Sequence, residues 1–367
     1  MDEVRAVGKL ADARAAETES LRRLPDDVAT ALIDSGLLRT WVPTAYGGDE
    51  AHLLVGLDAI EELAFHDGAT GWCGMIGATT SLSAAHLPPH WAQQIYGDPR
   101  AVTGGFAMPA ATGERTDGGI VVNGHWQWGS FSHHCTWLGG GTLVDGLGAI
   151  FPFFEPEQVD LLDTWRVAGL KGTGSTDYEV HDAFVPEGRW MVLGGEPVVQ
   201  STLYRFPLFG ALALGTAAVA LGLARRAHHE LVALATAKRP SQSSRTLAER
   251  PVIQAEVAKA EAAYRSARAF MREAVSEAWD AAAADGAIAD EHRRLLRLAA
   301  TNATWRSAEC VDRMYHAGGG SSVHESSPLQ RVFRDVHVAT QHGMVAERTY
   351  EPVGRMALGL PTDTATL

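Results

Sequence analysis

Apolar and polar positions change their rhythm twice along the chain. Up to about residue 98 the apolar residues recur at helical spacing. In LPDDVATALIDSGLL, Pro25 and the acids that follow suit a helix start, and Gly36 suits its end. Two more helical stretches are expected over 52–66 and 69–86. Residues 99–200 instead place short apolar or aromatic runs (GGIVVNGHWQW, WLGGGTLV, GAIFPFF, EVHDAFVP) between glycine-rich turn signals. That pattern predicts a small antiparallel sheet, with Gly118-Gly119 and Asn123-Gly124 as turn positions. Beyond 201 the helical rhythm returns and runs to near 350. Ile253, Val257, Ala260, Tyr264, Ala267, Met271, Ala274 and Ala278 alternate steps of four and three, which lays them on one helix face. With long helices at 208–236 and 289–316, they predict an antiparallel bundle. The expected organisation is a helical domain over 1–98, a β-domain over 99–200 and a helical bundle over 201–367.

Composition narrows the function classes. A formal net charge of -13 argues against a nucleic-acid surface and against attraction to anionic membranes. The most apolar run, FGALALGTAAVALGLA, stops at Arg225-Arg226, short of the ~18 residues of a membrane span. The first residues are charged and lack an apolar signal core, so a cytoplasmic location is expected. Cys73, Cys135 and Cys310 are odd in number and far apart, which predicts reduced thiols rather than disulfides or a zinc site. No metal site is expected.

Four strings, WVPTAYGG, GHWQWGSFSHHCTW, GLKGTGSTDYEVHDAFVP and HAGGGSSVHESSPLQRVFRDVHVATQH, stand in this order across the three zones. Together they resemble the acyl-CoA dehydrogenase superfamily over essentially the whole chain. The resemblance implies an N-terminal helical domain, a middle antiparallel β-domain and a C-terminal four-helix bundle, with flavin held between the last two. It also separates two branches. Dehydrogenases of the family carry a glutamate base shortly after a string like RVFRD, whereas here Gly343 takes that place behind His342. Two-component flavin monooxygenases carry a histidine there, after a string like the Ser-Ser-Pro-Leu-Gln-Arg at 326–331, and a serine in a string like WxFxSG, here Ser130. Phe131 departs from that string, which usually has glycine, and Thr79 and Thr80 stand where some relatives have a further active-site histidine.

The monooxygenase branch implies FADH2 or FMNH2 supplied by a separate flavin reductase, O2 as co-substrate, and a homotetramer built as a dimer of dimers. It implies hydroxylation of an aromatic or polyketide-like small molecule through a flavin C4a-hydroperoxide. In that reading His342 deprotonates a phenol or steadies the hydroperoxide, since imidazole titrates near neutral pH, and Ser130 meets the flavin N5. His342 is expected on the last helix, and His337, five residues earlier, on another face of it. Thr173 and Ser175 are expected beside the flavin, together with Phe106 and Trp128. Gly318 and Gly319 would approach a neighbouring subunit's flavin. Arg331 would fix a flavin phosphate, although Arg331, Arg334 and Asp335 equally read as a solvated or ion-paired helix face. His134, Phe131 and Trp72 are the substrate-pocket candidates. His133 and His134 are adjacent on an expected strand, so only one of them faces the pocket. The aromatic residues at 106, 126, 128, 131 and 137 also read as sheet core. Two rivals stay open: a dehydrogenase with its base elsewhere, and a scaffold that has lost flavin.

Overall fold

A computed structural model describes residues 1–241, 243–365 and 367. Helices α1 (Asp2–Ala13), α2 (Ala15–Leu21), α3 (Asp26–Asp34), α4 (Leu53–His66), α5 (Gly68–Ser81) and α6 (Pro89–Tyr96) come first. Strands β1 (Thr103–Thr116), β2 (Gly119–Gly129), β3 (Trp137–Val144), β4 (Gly148–Phe154), β5 (Asp160–Leu162), β6 (Thr176–Pro186) and β7 (Trp190–Val192) follow. Helices α7 (Leu208–Ala237), α8 (Pro251–Asp285), α9 (Asp290–Gly318), α10 (Pro328–Ala339) and α11 (Tyr350–Ala357) complete the chain.

The long helices form where the apolar rhythm predicts them. On α8 the stripe from Ile253 to Ala278 faces inward, every member buried except the half-buried Val257. Helix α7 has almost no polar face, because it lies between the N-terminal helices and α9. It is apolar and long enough to cross a membrane, yet 78% of its most apolar window is buried inside the protein, which makes it a core helix. Gly222 sets its distance from α4: a Cβ there would stand 2.4 Å from the Glu61 carbonyl oxygen. One hydrophobic core therefore runs from Val4 through α4, α5 and α7 to α9 and α10. Glu61, 2% exposed on α4, ties the same layers with charge. It accepts from Arg225 of α7 at 2.9 Å and from Arg268 of α8 at 2.7 Å.

The seven strands form one sheet in the order β5-β6-β2-β1-β3-β4-β7. This corrects the expected all-antiparallel sheet, since β1 and β3 are parallel. The chain leaves β2 through the 131–136 segment and enters β3 on the far side of β1, so it must run alongside β1. Gly118 makes the β1–β2 turn with φ 76° as expected, but Gly119 already belongs to β2. Asn123-Gly124 is not a turn. It lies inside β2 where the register with β6 shifts, a bulge closed by Asn123 Nδ2 donating to Asp182 Oδ1 at 3.0 Å and Asn123 Oδ1 accepting from the Asp182 N–H at 2.8 Å. An Asn-Gly pair serves a bulge for the reason it serves a turn: a short polar side chain that satisfies nearby backbone.

Candidate active site

The end of β2 departs from regular strand geometry. Trp128 and Phe131 have φ of 61° and 64°, a region that side chains other than glycine adopt at a cost, and the β2–β6 register slips between Trp126 and Gly129. The Ser130 N–H turns back to the Trp128 carbonyl at 2.8 Å. The tight turn buries Ser130 and leaves Trp128 54% exposed, its ring edge-on to Phe106 at 5.6 Å. Phe131 is fully buried in the main core against the His134 ring. The left-handed backbone is one that glycine adopts freely, and burial of the Phe131 ring offsets the strain here.

Around Ser130 the structure assembles a continuous chain of hydrogen bonds. The Trp72 indole N–H donates to Ser130 Oγ at 3.1 Å, Ser130 and Ser175 share a 2.6 Å bond, and Ser175 and Thr173 share another of 2.6 Å. Thr173 Oγ1 then donates to the Leu170 carbonyl at 2.8 Å. All three hydroxyl residues are buried. The Phe131 N–H holds the loop from the other side, donating to the Thr173 carbonyl at 2.8 Å. Sequence reading found Ser130, Thr173, Ser175 and Trp72 singly but not their connection, and it gave Asp335 no place in it.

Asp335 is not on a solvated face. It is 4% exposed, and its carboxylate accepts from the Leu170 N–H at 2.5 Å. Burial pushes its carboxyl up to about 7, partly offset by that hydrogen bond. The neighbouring arginines follow the ion-paired reading. Arg334 bonds Glu19 at 2.8 Å and the Ala168 carbonyl at 2.5 Å, and Arg331 stands 3.7 Å from Asp12.

His342 lies three residues beyond the end of α10, in a turn, rather than on the helix. The turn is fastened to α9 by Arg297 Nη1 donating to the Met344 carbonyl at 2.5 Å, Trp305 Nε1 donating to the Val345 carbonyl at 3.1 Å, and Thr301 bonding Thr349 at 2.7 Å. The imidazole meets the Trp72 ring edge to face at 5.5 Å. Trp72 thus touches both candidate catalytic residues, one with its ring and the other with its N–H. Burial, reinforced by the positive Arg297, pushes the His342 imidazole down to about 4. Its Nδ1 accepts from the Met344 N–H at 3.4 Å, which leaves the single proton of the neutral ring on Nε2. His342 is therefore a neutral N–H donor at physiological pH. A group with a depressed histidine pKa stays uncharged as pH falls through 6.5 and charges only near the lower value. An NMR titration should show no protonation of His342 between about pH 8 and 5, and a midpoint near 6.5 would overturn its reading as a neutral donor.

The remaining candidates lie elsewhere. His134 Nε2 is bonded to the Leu24 carbonyl at 3.1 Å. His133 and His134 sit in a 3-10 turn over Ser132–His134 instead of the expected strand, and His133 faces a separate recess of about 240 Å³ with Arg22 and Arg23. Gly318 and Gly319 end α9 beside a groove of about 700 Å³ lined by Lys238, Arg250 and Arg313. His337 bonds Asp312 at 2.9 Å and Thr79 and Thr80 bond backbone carbonyls of their own helix. Cys73, Cys135 and Cys310 are free thiols. Among the described residues, one group has metal-ligand spacing: Asp160, Glu179 and His181, at the β5–β6 edge and apart from Ser130.

Known proteins share this arrangement of elements. Residues 214–347 match the family described as "Acyl-CoA dehydrogenase, C-terminal domain". Indole-3-acetate monooxygenase of Pseudomonas putida is 34% identical over 355 residues, which cover 95% of this chain and 90% of that protein. The oxygenase subunit HsaA, a flavin-dependent monooxygenase of Mycobacterium tuberculosis, is 30% identical over 363 residues, 95% of this chain and 92% of that protein. The solved structure of XiaF from Streptomyces sp., in complex with FADH2 and glycerol, superposes with a TM-score of 0.87 at 25% identity, covering 98% of this chain and 95% of that one.

Proposed function

The chain belongs to the flavin-dependent monooxygenases of acyl-CoA dehydrogenase fold, and from that premise we propose that it hydroxylates a flat aromatic small molecule, with Ser130 and His342 at the reacting centre. It is an oxidoreductase that uses reduced flavin and O2. We take a separate reductase to supply the flavin, as the name "oxygenase subunit" of one relative suggests. The observation that carries the residue roles is the position of Trp72 between Ser130 and the His342 ring.

The residues present fit a flavin. Trp128 and Phe106 offer an exposed aromatic face at the end of β2, beside a buried serine with bonding capacity to spare. When bound, reduced flavin activates dioxygen and delivers one oxygen atom to the substrate. Ser130 would hold the N5 edge, and the neutral His342 Nε2–H would donate to the reacting oxygen. Phe131 and the core behind it keep water from that side. Gly343 brings no carboxylate, and among the described residues no carboxylate is bonded to Ser130, Trp72 or His342, which favours oxygen transfer over α-proton abstraction. The substrate class is supported by the relatives, which include an indole-3-acetate monooxygenase and an FADH(2)-dependent resorcinol hydroxylase.

The test supplies the chain with a flavin reductase, NADH and isotopically labelled O2, and screens indoles and phenols by mass spectrometry. Incorporation of one labelled oxygen atom is expected, dependent on the reductase. Dehydrogenation of a thioester without labelled product would overturn the assignment of substrate and site.

A further inference from the structure

The hydrogen-bond chain behind Ser130 has a direction, and the direction follows from its two ends. An indole N–H can only donate, and a carbonyl oxygen can only accept. Thr173 spends its one hydroxyl proton on the Leu170 carbonyl, so its bond with Ser175 must use the Ser175 proton. Ser175 then has no proton left for Ser130, so Ser130 donates to Ser175. Ser130 meanwhile accepts from Trp72. Its proton is committed, one lone pair is used, and the second lone pair is what it can offer to a ligand. Thr173 is the link that imposes this order. It is held in turn by Leu170, which has the left-handed φ of 50°, and the Leu170 N–H is pinned by the buried Asp335.

We propose that Thr173 is a positioning residue that fixes the Ser130 hydroxyl as a hydrogen-bond acceptor toward the site, and so sets the preference of the site for a flavin with a proton on N5 over one without. Reduced flavin carries N5–H, a donor that matches the free lone pair of Ser130. Oxidised flavin has a bare N5, an acceptor, and would face a second acceptor whose proton is engaged elsewhere. If the chain is cut at Thr173 or Ser175, Ser130 regains the use of its proton and can serve either redox state. This rests on the reading that Ser130 meets N5.

The experiment measures dissociation constants of FAD and FMN, oxidised and, anaerobically, reduced, for the wild type, Thr173→Val, Ser175→Ala and Thr173→Ser. The ratio of oxidised to reduced dissociation constants is expected to fall about 3- to 10-fold in Thr173→Val and Ser175→Ala, the range of one hydrogen bond, and to stay at the wild-type value in Thr173→Ser. Should Thr173→Val fail to fold, Ser175→Ala carries the same prediction. An unchanged ratio in the severed variants, including equal weakening of both redox states, overturns the proposal while leaving the flavin site standing. A wild type that binds neither redox state overturns the flavin reading itself, and the proposal with it.

Discussion

Replacing His342 with alanine is expected to separate flavin oxidation from product formation. With a reductase, O2 and substrate present, the variant should still consume reduced flavin, but hydroxylated product should fall by about 100-fold or more. That is the loss typical of removing one preorganised donor from a water-poor site. The physical basis is the uncharged ring beside Trp72, with its proton on Nε2 and its Nδ1 engaged by the Met344 backbone. Without that donor the oxygen to be transferred loses its stabilisation, and hydrogen peroxide should appear in place of product. His342→Gln retains an N–H donor and should recover part of the coupling. The measurement is the ratio of product formed to NADH consumed, alongside peroxide. Unchanged coupling in His342→Ala would remove His342 from the reacting centre.

The largest effect on stability is expected at Glu61. Its carboxylate, 2% exposed, is shared by Arg225 and Arg268, so Glu61→Ala leaves two guanidinium groups of different helices facing each other. Removing one partner of a fully buried pair costs ~3–5 kcal/mol. Here the arginines are 30% and 35% exposed and also reach Glu62 and Asp58, so water and the remaining acids recover part of the loss. About 2–4 kcal/mol is expected, a Tm lower by roughly 3–5 °C for a chain of this size. Glu61→Gln, which keeps the shape and the acceptor, should cost less. Calorimetry decides it: a Tm within about 1 °C of wild type, ~1 kcal/mol or less, would show that the network contributes little.

What could be read from the sequence depended on how far apart the interacting residues lie. The α8 stripe is a local pattern repeated over many turns, so the helix and its buried face were both visible. The parallel pairing of β1 with β3 was not, because strand direction depends on the path between them rather than on either strand. The strings single out Ser130 and His342, and the structure sets both against Trp72. The place of His342 in a turn was missed because the apolar spacing of α10 gives no sign of its last residue. The bonds that organise the site join residues 58, 45 and 165 positions apart, and no spacing rule connects Trp72 with Ser130, Ser130 with Ser175, or Leu170 with Asp335. Asp335 was misplaced for a related reason: near two arginines it reads as part of a charged surface, and the packing of 169–170 and of Gly68 against α10 buries it.

The turn that carries His342 has its path prescribed from outside. Arg297 and Trp305 reach it through the carbonyl oxygens of Met344 and Val345, atoms that every amino acid possesses. The side chains of residues 341–343 can therefore be exchanged while the main chain keeps its course, whereas Val345, buried in the core, and Thr349, bonded to Thr301, stay as they are; those three positions form a replaceable cassette. A library confined to residues 341–343 would vary the chemistry presented beside Trp72 without asking the bundle to repack, and variants that retain Arg297, Trp305, Val345 and Thr349 should fold as the parent does.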